Sequence, residues 1–205
     1  MTDQPFRMLD IDFRLNDGWK DHVGNDVKRQ VIHDDRGDWL SASTIALLNE
    51  LNFDIDYAML WSWPRMLGYG TKVHGHPYED YFHTDFPQRV GAEVAINYLV
   101  KGDPGKTEWV DMKHVIHVGT ANNPAYERLA NNDVQLFLNN GGNVVQGRIR
   151  KGVPMLIRID VPHRIDTSEI VDTRWVYSLR LKDRSTRKSL KWEVAKERLQ
   201  QFIIE

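Results

Sequence analysis

Two residues of metal-ligating type, His83 and Asp85, stand two positions apart in a segment flanked by aromatic residues. In an extended segment, residues i and i+2 point to the same face, about 7 Å apart along the backbone. An imidazole nitrogen and a carboxylate oxygen can then bind one ion, and this donor pair suits Fe(II), Mn(II) or Zn(II). The same His-x-Asp pattern recurs at His33, where charged, turn-forming neighbours favour a solvated loop. We therefore predict a metal site at His83 and Asp85.

His163 is the best candidate for a third ligand. It follows the strand-like run 155–161, which it is expected to end, and a histidine at the rim of a barrel can face into its mouth. Two histidines and one carboxylate leave three positions open on an octahedral metal, as non-haem Fe(II) oxygenases require. We predict that His163 completes the metal site.

A buried anion site is indicated eleven residues after His163. Arg174 begins the predicted strand 174–181, and the period of two places Val176, Ser178 and Arg180 on the same face. A guanidinium on a face that lines a barrel can bind a carboxylate bidentately. We therefore predict that Arg174 binds a dicarboxylate cosubstrate, with Arg180 as the alternative anchor.

Short segments rich in β-branched and aromatic residues must position these side chains. Eight such segments between residues 57 and 181 alternate with turn-forming residues, for example at 102–105 and 139–142. Many short strands joined by hairpin-like turns predict an antiparallel sandwich or barrel. Ser41 can cap a helix that precedes these strands. Ser189 can cap a second helix, whose apolar stripe predicts that it packs on the outside of the β-core.

The composition excludes several classes of function. Lys and Arg number 27 and Asp and Glu 29, a net charge of −2, which excludes a strongly basic nucleic-acid binder and disfavours nucleic acid as a partner. The chain of 205 residues has no cysteine, which excludes thiolate zinc sites, iron–sulfur clusters and cysteine nucleophiles. No stretch resembles a signal peptide or reaches the ~18 apolar residues of a membrane span, so we expect a soluble, cytoplasmic protein with no membrane partner.

The order and spacing of these motifs resemble the iron(II)/2-oxoglutarate-dependent oxygenases, and more specifically their prolyl-hydroxylase-like branch of small phage and bacterial proteins. The stretches that carry the resemblance are 83–85, Arg89, 96–100, 105–109, 161–164 and 174–180. The chain departs from that branch at 105–108, where Gly-Lys-Thr-Glu replaces the usual Gly-Gly-Glu-Thr, and at Arg164, where an acidic residue is frequent. These departures make peptidyl proline the less favoured substrate.

The resemblance implies a fold, cofactors and residue roles. The fold is mainly β with flanking helices, a double-stranded β-helix of the jelly-roll, cupin-like type. It forms one domain over 1–205, with a helical or irregular part at 1–56, a β-core at about 57–182 and a C-terminal helix at about 189–204. The implied cofactors are Fe(II), 2-oxoglutarate as cosubstrate, and O2. The residues with implied roles are His83, Asp85 and His163 for the metal, and Arg174, Ser178, Tyr98 and Asn97 for 2-oxoglutarate.

The implied activity is hydroxylation of a C–H bond in an amino acid, a peptidyl side chain or another organic substrate, with release of succinate and CO2. Two alternatives stay open at this point. A non-catalytic jelly-roll binding or virion-associated module would bind no Fe(II). A cupin-like metalloenzyme of another kind would bind metal and ignore 2-oxoglutarate. The aromatic segment at Trp61 and Trp63 serves either as a substrate lid or as core packing, and the oligomeric state is open.

Overall fold

A computed structural model describes residues 4–24, 30–63, 92–110, 144–161, 163–166 and 169–204. The predicted ligands His83 and Asp85 lie outside the described residues, as do the predicted strands at 113–119 and 133–138. The described residues form ten strands and two α-helices. The strands are β1 (Phe6–Leu9), β2 (Val31–His33), β3 (Phe53–Trp63), β4 (Val94–Lys101), β5 (Lys106–Val110), β6 (Val144–Gly147), β7 (Met155–Arg158), β8 (His163–Asp166), β9 (Arg174–Asp183) and β10 (Ile203–Ile204), and the helices are α1 (Ala42–Glu50) and α2 (Trp192–Leu199).

Two antiparallel sheets face each other. The large sheet has the strand order β10-β1-β7-β4-β9-β3-β2, and the small sheet has the order β6-β5-β8. Over the described strands from β4 to β9, the chain changes sheet four times. This alternation between two antiparallel sheets is the winding of a jelly roll. The predicted fold class, a mainly β double-stranded β-helix with flanking helices, is confirmed.

The large sheet is apolar on both faces, because successive residues of a strand point in opposite directions. On β9, Tyr177 packs into an outer cluster that includes Leu48 of α1 and Leu199 of α2. Val176 instead joins an inner cluster that contains residues of both sheets, among them Trp109 of β5. Each fully buried side chain of this size contributes about 1.5–3 kcal/mol to folding. The helices therefore cover the outside of the large sheet, and the inner face is left for a site between the sheets.

The N-terminal part differs from the helical or irregular segment predicted for 1–56. Strand β1 pairs with β7, with Phe6 opposite Ile157, and β2 pairs with β3, with Val31 opposite Trp61. Strand β3 begins at Phe53, before the predicted start of the β-core near 57. Strands of three or four residues carry almost no alternation of their own, and pairing with longer buried neighbours stabilises them.

The turn after His33 is anchored from the core, which differs from the solvated loop expected there. His33 ends β2 and is exposed, as predicted, but Asp34 is buried. The Asp34 carboxylate accepts hydrogen bonds from the Asp38 and Trp39 amides at 2.7 and 3.1 Å. The Tyr177 hydroxyl donates to it at 2.7 Å. Burial, and then this hydrogen bond to Asp34, raise the pKa of Tyr177 far above its ordinary range.

The helix ends show one correct prediction and one error. Ser41 caps α1 and accepts a hydrogen bond from the Thr44 amide at 3.2 Å, as predicted. The C-terminal helix begins at Trp192 rather than near 189, and Ser189 does not cap it. Instead, the Glu93 carboxylate accepts a hydrogen bond from the Trp192 amide at 3.0 Å. No helix in the described part of the chain is long and apolar enough to cross a bilayer.

Candidate functional site

The inner face of β9 carries the polar residues that the alternation of side chains along a strand predicted. Trp175 and Tyr177 point into the outer cluster, so Arg174, Val176 and Ser178 point into the space between the sheets. Arg174, Ser178 and Arg180 are all buried. Buried polar residues beside an apolar cluster are expensive unless they are paired, so their partners decide what this face can do.

Arg174 is fully buried and has an unsatisfied guanidinium. Its exposure is 0%, and none of its three guanidinium nitrogens has a hydrogen-bond partner in the described structure. Its one described polar contact is a cation–π contact, in which Cζ lies 4.9 Å from the centre of the Trp63 ring. Burial lowers the pKa of Arg174 from 12.5 to about 9. A buried guanidinium with these contacts is chemically suited to bind an anion.

A glycine lets the small sheet approach Arg174. Gly105 has a φ of +57°, and a Cβ there would lie 3.4 Å from Cδ of Arg174 and 3.1 Å from Cδ1 of Ile170. Any larger residue would press on the arginine stem and would be strained at this φ. The turn before β5 therefore closes one end of the site over Arg174.

His163 lies on the small sheet and is buried, with 4% exposure. It begins β8, opposite Trp109 of β5, whereas we predicted that it ends the strand 155–161. Strand β7 stops at Arg158, whose guanidinium binds the Asp160 carboxylate at 3.0 and 2.6 Å. The Trp109 indole, which belongs to the other sheet, donates to the Arg158 carbonyl at 3.1 Å. These bonds turn the chain across to the small sheet before His163.

The hydrogen bond of His163 fixes its tautomer. Nδ1 lies 2.9 Å from the Val161 carbonyl oxygen, and only a protonated Nδ1 can donate to that oxygen. The lone pair of the neutral ring is then on Nε2. Metal-binding histidines commonly donate their other ring N–H to a carbonyl in this way. His163 thus has the tautomer that a ligand requires.

Arg174 and His163 lie toward opposite ends of strand β5. His163 pairs with Trp109, while Gly105, at the other end, touches Arg174. Four residues of strand separate these ends by roughly 13 Å. Thr107 lies between them on the same face as Trp109, and its hydroxyl is buried with no hydrogen-bond partner among the described residues. The site therefore has a cation at one end, a histidine at the other and an unsatisfied hydroxyl between them.

The other predicted cosubstrate residues have described partners. The Ser178 hydroxyl donates to Asn97 Oδ1 at 2.5 Å and accepts from an Arg180 N–H at 2.5 Å. A serine has one proton to donate, so Ser178 cannot also donate to a ligand while this bond exists. Asn97 points inward, whereas Tyr98 points to the outer face and packs against Phe13 at 5.1 Å. Asn97, and not Tyr98, therefore shares a face with Arg174.

The aromatic segment at Trp61 and Trp63 belongs to β3 and is not a loop. The two rings stack with centres 5.7 Å apart and planes at 17°. Trp63 lies opposite Arg174 in the sheet and provides the ring of its cation–π contact. Trp63 thus forms part of the wall around the guanidinium.

The predicted metal ligands do not all lie among the described residues. Within the described ranges no three His, Asp or Glu side chains are grouped so that they could hold a metal ion. His163 is described, while His83 and Asp85 lie outside these ranges. The three-residue metal site therefore stays a prediction. Sequence reasoning missed Thr107, although its alternation with Trp109 in the predicted strand could have indicated an inward side chain.

Comparisons with known proteins found no matching family model and no matching curated protein. Three similar solved structures are the non-heme alpha ketoglutarate dependent carbocyclase SnoK from nogalamycin biosynthesis, AviO1 from Streptomyces viridochromogenes Tue57, and FeII HppE. SnoK is 12% identical, with 84% of this chain and 77% of SnoK covered and a TM-score of 0.40. AviO1 is 12% identical, with coverage of 77% and 70% and a TM-score of 0.37. HppE is 10% identical, with 82% of this chain covered and a TM-score of 0.30. The match covers 62% of HppE, which is less than two thirds of the length of HppE. Similarities of this size carry no argument about the function of this chain.

Proposed function

We propose that this chain is an Fe(II)- and 2-oxoglutarate-dependent oxygenase that hydroxylates a C–H bond of an amino acid, peptidyl or other organic substrate. The observation that carries the proposal is Arg174, a fully buried guanidinium with no described hydrogen-bond partner on the inner face of a jelly roll. An uncompensated buried cation is costly, and a bound carboxylate removes that cost. Arg174 is therefore best explained as the receptor of an anionic ligand.

The anion that fits best is one carboxylate of a short dicarboxylate. The guanidinium can bind it bidentately, through two parallel N–H···O bonds. The Thr107 hydroxyl can donate to the same ligand, because it lies between Gly105 and Trp109 and has no partner in the described structure. The roughly 13 Å between the ends of β5 leaves room for an elongated ligand that reaches from Arg174 toward His163. 2-Oxoglutarate has a carboxylate for Arg174 at one end and a keto acid that can bind a metal at the other, which supports it as the cosubstrate.

The described residues also fit a metal at the other end. His163 would bind Fe(II) through Nε2, because its Nδ1–H donates to the Val161 carbonyl. His83 and Asp85 would provide the other two ligands. Fe(II) bound there would supply the activation of O2 that oxidises the substrate while 2-oxoglutarate is converted to succinate and CO2.

The walls of the site favour these polar contacts. The indoles of Trp63 and Trp109 lie beside Arg174 and His163 respectively, at 4.9 Å from Cζ and 6.5 Å between ring centres. Apolar rings exclude water, and a charged contact is stronger where water is excluded. The protein's part is therefore to orient the cosubstrate between two fixed points and to keep water away from it.

The proposal is tested by measuring succinate formed from 2-oxoglutarate with and without Fe(II) and O2. We expect formation that requires both, and an increase of the KM for 2-oxoglutarate by about a hundredfold in Arg174→Gln, which loses a bidentate charged contact. Arg150→Gln is the matched control, because Arg150 is an exposed arginine and should leave KM unchanged. His163→Ala should bind the metal weakly and form no succinate. Metal binding without 2-oxoglutarate binding would indicate the other metalloenzyme class, and binding of neither would indicate a binding module.

A further inference from the structure

We propose that Asp103 is a positioning residue for Arg174, and that it holds the start of β9 so that the guanidinium meets the cosubstrate carboxylate. The inference rests on the proposed function, since it concerns the same anion site. Asp103 lies in the turn between β4 and β5, between Gly102 and Gly105. The Asp103 carboxylate contacts the backbone of the segment 169–173, which leads into β9.

Asp103 binds this segment through two backbone amides. Its Oδ2 accepts hydrogen bonds from the Val171 N–H at 2.7 Å and from the Asp172 N–H at 2.9 Å. These two bonds lower the pKa of Asp103, so the carboxylate is ionised at neutral pH. Hydrogen bonds to an ionised acceptor are about twice as strong as neutral ones. One side chain thus fixes two successive peptide groups just before Arg174.

The turn and the segment are in close contact on both sides of Asp103. A Cβ on Gly102 would lie 1.9 Å from the Thr173 carbonyl oxygen and 3.2 Å from Cα of Arg174. On the other side, Ile170 is buried against Gly105. A small displacement of the segment would therefore change the contacts of Arg174 directly.

Few described polar contacts orient the side chain of Arg174, so its direction depends on the backbone that carries it. Its guanidinium has no hydrogen-bond partner in the described structure, and a cation–π contact to Trp63 restrains direction only weakly. The segment has a second attachment, in which Glu169 pairs with Lys106 and Arg148. Glu169 and Arg148 are each about half exposed, and exposed pairs of this kind contribute little. Sheet pairing holds β9 from Arg174 onward, where Trp63 lies opposite, and the two bonds to Asp103 hold the backbone just before it.

The test compares three variants of the full chain by anaerobic calorimetric titration with Fe(II) and then 2-oxoglutarate. Asp103→Ala removes both acceptors, and we expect the Kd for 2-oxoglutarate to rise about tenfold, with the Kd for Fe(II) unchanged. Asp103→Asn keeps one carbonyl oxygen as an acceptor, and its Kd should stay within about threefold of wild type. Asp172→Ala is the matched control, because it removes an exposed carboxylate from the same segment and keeps the backbone N–H. It should bind 2-oxoglutarate as wild type does.

Two further readouts distinguish positioning of Arg174 by Asp103 from a general contribution of Asp103 to the stability of the fold. In Asp103→Ala, kcat at saturating 2-oxoglutarate should equal that of wild type while KM rises, and the Val171 and Asp172 amides should exchange hydrogen faster. An Asp103→Ala protein that binds 2-oxoglutarate within about twofold of wild type would overturn the inference while leaving the proposed function standing. Failure of the wild-type protein to bind 2-oxoglutarate would overturn the proposed function, and this inference with it.

Discussion

Replacing Arg174 by methionine should stabilise the ligand-free protein and abolish binding of the cosubstrate. The reason is that the guanidinium is fully buried and has no hydrogen-bond partner in the described structure. Methionine has a similar shape, carries no charge and suits the apolar walls of the site. A residue whose removal raises stability and removes binding is retained for function.

The size of the effect follows from the pKa of Arg174. Burial lowers it from 12.5 to about 9, which corresponds to roughly 5 kcal/mol at 1.36 kcal/mol per pKa unit. Because the pKa is lower in the folded state, this penalty is complete below pH about 9 and decreases only as the pH rises from there toward 12.5. The lost cation–π contact offsets about 1–2 kcal/mol of the gain, and the shorter side chain leaves a cavity that costs about 1 kcal/mol. We expect Arg174→Met to raise the free energy of unfolding at pH 7 by about 2–3 kcal/mol.

The assay is urea unfolding of the metal-free protein at pH 7, with and without succinate as a dicarboxylate probe. Succinate at a hundred times its Kd should raise the unfolding free energy of wild type by about 2.7 kcal/mol and that of Arg174→Met not at all. Arg150→Met is the control for loss of one positive charge, because Arg150 is exposed, and its effect should stay within about 0.5 kcal/mol. If Arg174→Met is less stable than wild type by more than about 1 kcal/mol, the guanidinium is satisfied in solution and the reasoning is refuted.

Three further substitutions test neighbouring parts of the fold and site. Thr107→Val removes a buried hydroxyl with no described hydrogen-bond partner and keeps the shape of the side chain. It should leave the free energy of unfolding unchanged or raise it by about 1 kcal/mol. Titration calorimetry should show that it weakens 2-oxoglutarate binding severalfold. Ser178→Ala removes the donor to Asn97 and should lower the urea unfolding free energy by about 1–3 kcal/mol, and an effect near zero would show that the bond does not form. Tyr177→Phe removes the hydroxyl bound to the buried Asp34 carboxylate and should cost about 1.5–3 kcal/mol in the same assay; an unchanged value would mean that water replaces it.

The long strands of the β-core, β3, β4 and β9, could be predicted from the sequence because they are long enough to carry a pattern. The strand at 174–183 alternates between the two faces of a buried sheet, and this alternation correctly placed Arg174 and Ser178 together. Strands β1 and β2 could not be found in this way, because three or four residues show no usable period. Their formation depends on neighbours that are distant in sequence, such as Ile157 opposite Phe6.

The sequence predicted which types of residue form the candidate site, but it predicted the local structure around them less well. The sequence predicted His163 at the end of the strand 155–161, at the rim of the barrel. It did not indicate that the chain would turn at Arg158 and enter the other sheet, because that turn depends on the Trp109 indole. The alternation of side chains along β4 could not show whether Asn97 or Tyr98 points inward, because both faces of the large sheet are apolar. The role of Asp103 was not visible in the sequence, because its partners are backbone amides about seventy positions away.

We propose that one site binds a metal at His163 and a dicarboxylate at Arg174. An anaerobic titration of the protein with Fe(II) and then 2-oxoglutarate tests both parts of the site together, because the weak visible metal-to-ligand charge-transfer band forms only when both are bound. We predict that the band forms in wild type, is absent in His163→Ala, and requires about a hundredfold more 2-oxoglutarate in Arg174→Gln. A wild-type protein that forms no band, or an Arg174→Gln protein that titrates as wild type does, would contradict the account.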